Sequence, residues 1–175
     1  PDFYMPKHNH GLDQDIVLYY ASTIIKDNEK SVFWNKLSLE RFWNQINNIF
    51  AEDGSYLEHS PQYIYFMLER LLNFYKVLTH VSQEQSKKLM EKIEKIATFF
   101  IYTIQPDGTF PSIGDSEIAS INIDNKDWSL LPNNLYSVLD NVLKKSNDVN
   151  EDNVDLPLDV VYSAGDYAFF RSDWK

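Results

Sequence analysis

The sequence has no cysteine and only 5 glycines among its 175 residues. The missing thiols exclude a disulfide framework and any thiolate metal site. With so little glycine there is no Gly-rich loop to cradle a phosphate. Basic residues are also in short supply. Sixteen Lys and Arg stand against 26 Asp and Glu, a formal net charge of −10. That balance is the opposite of the electrostatic footprint a nucleic acid selects, so no nucleic-acid partner is expected. No run of about 18 apolar residues occurs, so neither a transmembrane helix nor a membrane partner is expected. No signal peptide is visible, and the chain opens Pro1-Asp2-Phe3 without a Met, so the true start is expected to lie upstream. What is present is 43% hydrophobic and 15% aromatic residues. That is too apolar for a disordered chain, and enough for one ordinary domain or a piece of a larger one.

The first two thirds read as helices. Leu12, Ile16, Tyr19, Tyr20 and Ile24 follow the rhythm of one buried helical face. A second helix is expected from Ser38 as N-cap, carrying Phe42, Trp43, Ile46, Ile49 and Phe50 inward. A third starts at Ser60-Pro61, where Ser caps free N–H groups and Pro gives up no needed donor. Its stripe is Ile64, Met67, Leu68, Leu71, Tyr75 and Leu78. A fourth starts at Ser82 with Gln85 three residues on, the capping-box pattern, and carries Leu89, Ile93, Ile96, Ala97, Phe100 and Ile104. A fifth, Asn133 to Lys145, follows Pro132 and ends on two lysines that suit the negative helix end.

The loops repeat a theme. Asp53-Gly54-Ser55-Tyr56 and Asp107-Gly108-Thr109-Phe110 are both Asp-Gly turns followed by a small hydroxyl residue and an aromatic. Their aspartates lie 54 positions apart. That is about one helical hairpin with its loops, the period of stacked helix pairs. The character changes at residues 147–159, an acidic, Asn-rich linker with five acidic residues and no basic one. Val160-Val161-Tyr162 and Tyr167-Ala168-Phe169-Phe170 then read as two short strands around a Gly-containing turn. The expected organisation is a helical portion over 1–146, a linker over 147–159 and the start of a β domain over 160–175.

Two polar clusters sit at helix starts, where unpaired N–H groups favour negative charge. They are His8-Asn9-His10-Gly11 and Glu58-His59-Ser60-Pro61-Gln62-Tyr63. Tyr63 would be the third residue of its helix. As purely structural groups, Asn9 would be a cap, His10 a half-buried polar residue and Tyr63 a packing residue with a bonded hydroxyl. His8 and His10 with Glu58 or His59 offer metal ligands, but they lack the i, i+4 spacing of a helical zinc motif, and no metal or other cofactor is expected. Ser60 serves better as a cap than as a nucleophile, because no nucleophile-elbow pattern surrounds it.

Four segments together carry a resemblance. His8-Asn9-His10-Gly11-Leu12 resembles the Asn-His-Gly segment of heparinase II/III-like and alginate-lyase-like polysaccharide lyases. Asp53-Gly54-Ser55 with Glu58-His59-Ser60-Pro61-Gln62-Tyr63 is similar to their DGS…E-x-S-P-x-Tyr segment. Pro111-Ser112-Ile113-Gly114-Asp115 resembles their P-x-I-G-D loop. Ser163 to Ser172 resembles the first strands of their β-sandwich. The four occur in the family's order and span nearly the whole chain.

The resemblance implies a mainly α fold: a partial (α/α) toroid of helical hairpins, with a short β-hairpin beginning a C-terminal antiparallel β-sandwich. It implies β-elimination of an anionic, uronic-acid-containing polysaccharide. Asn9 and His10 would neutralise the uronate, Tyr63 would act as acid and, depending on stereochemistry, base, and His8, Glu58, His59 and Asp115 would line the substrate. A periplasmic or secreted location follows from the same resemblance. Two departures stand out. Ile64 occupies a position where members commonly have His, and the further catalytic His that the family takes from the sandwich has no counterpart before Lys175. The 175-residue chain by itself is therefore expected to be weak or inactive. Two other readings compete: a glycoside hydrolase toroid using Glu58 with Asp53 or Asp115 as acid and base, and a non-catalytic carbohydrate-binding or assembly domain. A cut toroid would also expose apolar helix faces, so self-association is expected at those edges.

Overall fold

The structure, a computed structural model, describes residues 4–5, 9–25, 28–123, 127–143 and 156–174. His8, Lys144, Lys145 and residues 147–155 of the linker lie outside them. The chain divides into two compact units, residues 1–51 and 52–175.

The first unit is a helical pair, α1 (Asn9–Ile24) and α2 (Asn28–Ile49), packed on each other. Leu12, Ile16 and Tyr19 of α1 and Phe42, Ile46 and Ile49 of α2 are buried, as their spacing predicts. Tyr20 and Trp43, expected on the buried faces, are only half-buried, and two further expectations change here. Ile24 is 75% exposed, because the buried stripe of α1 ends at Ser22. Ser38 does not begin a helix. It lies inside α2, buried, with its hydroxyl donating to the Asn35 carbonyl at 2.9 Å. A serine that bonds back to its own helix satisfies its hydroxyl without breaking the ladder, so a good N-cap residue type is not by itself a helix start.

The second unit begins with α3 (Pro61–Val81) and α4 (Gln83–Thr103), joined by Ser82 alone. This extended residue closes α3, its N–H donating to the Leu78 carbonyl at 2.8 Å, and opens α4, its hydroxyl accepting from the Gln85 N–H at 3.4 Å. The predicted stripes of both helices are buried except for half-buried Tyr75. The last turns of α4 go further: Phe99, Phe100, Ile101, Tyr102 and Thr103 are buried in succession, so this end is enclosed on every side. On one side Trp128, in a 3-10 turn at Asp127–Leu130, stacks on Tyr65 at 5.5 Å and on Phe100 at 5.9 Å between ring centroids. On the other side lies a hairpin of β1 (Asp159–Tyr162) and β2 (Tyr167–Phe170), antiparallel with Tyr162 opposite Tyr167. Phe99 receives Tyr162 and Tyr167 edge-on, each at 4.9 Å.

A two-stranded hairpin is marginal alone, and its packing on α4 supplies what pairing cannot. Arg171 strengthens that attachment. Its guanidinium donates to the carbonyls of Tyr102 and Ile104, where α4 leaves acceptors unpaired and its dipole favours a cation. The remaining helix, α5 (Asn133–Leu143), packs on α4 through a face that includes buried Leu135, Val138 and Leu139. The described chain is thus mainly helical with one short antiparallel hairpin, the expected class. Among the described residues no helix is long and apolar enough to cross a membrane.

Candidate functional site

Asn9 and His10 form the first turn of α1 in the first unit. The Asn9 side-chain oxygen accepts from the His10 N–H at 2.8 Å, covering one of the donors a helix start leaves open. His10 is exposed. The next residue has to be glycine for a steric reason: a Cβ at Gly11 would run into the Met5 carbonyl and the Gln45 amide. Behind this turn Asp15 is buried. It accepts from the Tyr4 hydroxyl at 3.0 Å, and the Gln45 amide donates to that same hydroxyl at 3.2 Å. Burial pushes the Asp15 carboxyl up to about 6, against the opposing pull of the Tyr4 hydrogen bond and the Arg41 charge.

The remaining described candidates, Glu58, His59, Tyr63 and Asp115, all belong to the second unit, around the start of α3. Tyr63 is the third residue of α3, half-buried, its ring edge-on to Phe66 at 6.4 Å. Ser60 holds the N-cap position, but its hydroxyl makes no capping bond. It instead accepts from the Asp115 N–H at 2.9 Å, while Ser116 across the loop accepts from the Gln62 N–H at 3.0 Å. Two serines thus exchange roles, each satisfying the other segment's backbone. Gln62 adds a third tie by accepting from the Glu117 N–H at 3.1 Å. Gly114 allows the approach. It has φ 59, and a Cβ there would meet the His59 carbonyl and the Ser60 hydroxyl.

The segment leading into α3 is fixed from its other side as well. Tyr56 is fully buried and its hydroxyl donates to Glu58 Oε2 at 2.7 Å. Burial, then the Glu58 hydrogen bond and charge, push the Tyr56 phenol far up, so it stays protonated. His59 Nδ1 and the Tyr167 hydroxyl share a 2.8 Å hydrogen bond, and that hydroxyl also donates to the Tyr56 carbonyl at 3.2 Å. Asp53 ties the turn together. Oδ1 accepts from the Ser55 N–H at 3.0 Å and hydroxyl at 2.6 Å, and Oδ2 from the Ala164 N–H at 3.1 Å. Burial works against the Asp53 charge, but these donors outweigh it and hold the carboxyl below its usual range. The second Asp-Gly turn is built alike: Asp107 accepts from the Thr109 N–H at 3.0 Å and hydroxyl at 2.5 Å, and both glycines are left-handed, φ 92 and 76. The local repeat is therefore physical as well as textual.

The second unit brings Glu58, His59, Tyr63 and Asp115 around one helix start, while Asn9 and His10 share the helix start of the first unit. Sequence reasoning missed Tyr56, Ser116 and Tyr167; Ser116 and Tyr167 bond to residues 54 and 108 positions away, while the Tyr56 hydroxyl donates to nearby Glu58. Their one legible signal was the Asp-Gly-hydroxyl-aromatic pattern that includes Tyr56. Among the described residues no group of three His, Asp or Glu is gathered for a metal ion. A cavity of about 430 Å³ runs along α5 and Leu156, and none of the candidate residues lines it.

Comparison with the curated proteins and with the solved structures gave no match. The family model for the heparinase II/III N-terminus matches residues 1–134, so the chain belongs to that family and is a polysaccharide-lyase-related protein.

Proposed function

We propose that this protein cleaves a uronic-acid-containing anionic polysaccharide by β-elimination, with Asn9 and His10 at the uronate carboxylate and Tyr63 at the leaving oxygen. The observation that carries the reading is the setting of Tyr63. Its phenol stands on the first turn of α3, and the backbone there is tied by the Ser60–Asp115 and Ser116–Gln62 bonds. A group that transfers a proton in the transition state must be held in place beforehand, and this helix start holds it. In the reaction a base removes the C5 proton, the electron pair forms the C4–C5 double bond, and the C4–O4 bond breaks. The departing oxygen takes the Tyr63 proton. The C5 proton is acidic enough only if the adjacent carboxylate is neutralised, and the amide of Asn9 and the imidazole of His10 supply donors where that charge builds.

Asn9 and Tyr63 are 54 positions apart, the same interval as the two Asp-Gly turns, and each stands in the first turn of the first helix of its pair. In this reading Glu58 is a loop-fixing carboxylate held by Tyr56, and the exposed His59 and Asp115 flank the sugar. A periplasmic or secreted location accompanies such a substrate and is part of the same proposal.

The test is to incubate the full protein with a panel of uronate polymers and follow the ultraviolet absorbance of the unsaturated product. Tyr63→Phe is expected to lower kcat by about 10²-fold or more, and Asn9→Ala or His10→Ala by about 10²-fold. Saturated products, or full turnover by Tyr63→Phe, would refute the lyase reading.

A further inference from the structure

We propose that Tyr167 is a positioning residue for Tyr63: its hydroxyl ties the β-hairpin to the Tyr56–Ser60 segment and thereby sets the first turn of α3. The inference rests on the reading of Tyr63 as the acid. It asks what decides where that phenol stands.

The segment from Tyr56 to Ser60 has short-range bonds of its own, the Tyr56 hydroxyl to Glu58 at 2.7 Å and the His59 N–H to the Tyr56 carbonyl at 3.3 Å, but they hold a turn that is largely solvent-facing. Leu57, Glu58 and His59 are exposed, and His59 sits at φ 53, a left-handed conformation that a residue with a Cβ adopts at a cost. A tie from outside the segment offsets that cost. Tyr167 meets it at both ends, with Oη 3.2 Å from the Tyr56 carbonyl oxygen and 2.8 Å from His59 Nδ1. One hydroxyl thus spans four residues, ending next to the N-cap of α3.

That hydroxyl is delivered by a rigid element. The Tyr167 ring is parallel to Phe169 within 6° and edge-on to Phe99. The turn before it is pinned by the Ala164 N–H on Asp53. Gly165 lies so close to Ser55 that a Cβ would collide with the serine side chain. Gly165 does not have a left-handed φ; Asp166 does, at φ 59. The glycine is there for close approach, which marks the turn as a fitted joint. Burial pushes the Tyr167 phenol up to about 12, so the hydroxyl keeps its proton throughout the neutral range.

The experiment uses the full protein with ring-labelled tyrosine and two-dimensional NMR, the Tyr63 signal being assigned by its loss in Tyr63→Phe. Tyr167→Phe keeps the ring on Phe99 and removes only the hydroxyl, so the fold should survive. The Tyr63 signal is expected to move while the signal of Tyr75, farther along α3, does not, and kcat should fall about 10- to 100-fold with KM changed less than twofold. Gly165→Ala, which lifts the whole turn, should move the same signal. Val161→Thr, on the 67%-exposed outer face of β1, should leave it in place. A Tyr63 signal unmoved by both Tyr167→Phe and Gly165→Ala overturns the proposal. Failure of the lyase reading shows separately, as undiminished turnover in Tyr63→Phe, and the resonance then decides the positioning claim on its own.

Discussion

Asp15 shows how much one buried residue can say. Its carboxyl is enclosed in the first unit with the Tyr4 hydroxyl as its donor. Burial raises its folded-state pKa to about 6, above the unfolded value of 3.8. The folded state therefore binds the extra proton between those values. The stabilisation from this group is complete below about pH 4 and is lost as pH rises through 6. At neutral pH the ionised carboxylate is a burden. Asp15→Asn, which can still accept from Tyr4, is expected to raise stability at pH 7 by roughly 1–3 kcal/mol. It should also flatten the pH dependence between about 4 and 6, both read from urea denaturation. A variant no more stable at pH 7 than the parent would show that the carboxylate is better solvated than its burial implies. Asp15 could not have been singled out from sequence. It looks like any polar residue in an amphipathic helix, and only the approach of Tyr4 and Gln45 closes it off.

At the scale of elements, the start of α3 is the instructive case. Ser60-Pro61 marked the helix start correctly, because Pro at the first position has no N–H to lose. The capping chemistry was misassigned, because a serine hydroxyl serves whichever donor the tertiary fold presents. Ser116→Ala removes the acceptor of the Gln62 N–H and is expected to cost about 0.5–2 kcal/mol, the usual value of a lost cap. Ser60→Ala should cost a similar amount by releasing the Asp115 N–H, although Ser60 occupies the position where capping loss would ordinarily be sought. Denaturation midpoints of the two variants measure this directly; an effect confined to Ser60→Ala would contradict the exchange. α2 teaches the converse lesson. Its cap signal at Ser38 was real as a propensity, but the helix continues through it because Asn35 offers a carbonyl.

At the scale of the whole molecule the net charge of −10 matters. An acidic protein repels an anionic polymer beyond the contact surface, and salt screens that repulsion. Raising ionic strength from about 10 mM to about 150 mM shortens the screening length from about 30 Å to about 8 Å. Binding of an anionic uronate oligosaccharide to the 175-residue chain is therefore expected to strengthen, not weaken, over that range, as titration calorimetry would show. A steep loss of affinity with salt would point to a local basic surface that dominates the total. The helical periods, the Asp-Gly repeat, the short strands and the placing of Asn9, His10, Glu58, His59 and Tyr63 near two helix starts were determined by the sequence alone. All of these are local, set by side-chain spacing, backbone propensity and turn chemistry over a few residues. The tertiary structure alone decided that Ser60 and Ser116 exchange partners, that Gly165 is needed for contact and not for conformation, and that Tyr167 reaches back 108 positions to His59. Such bonds join groups far apart in the chain, and neither partner carries a sign of the other until packing has brought them within 3 Å.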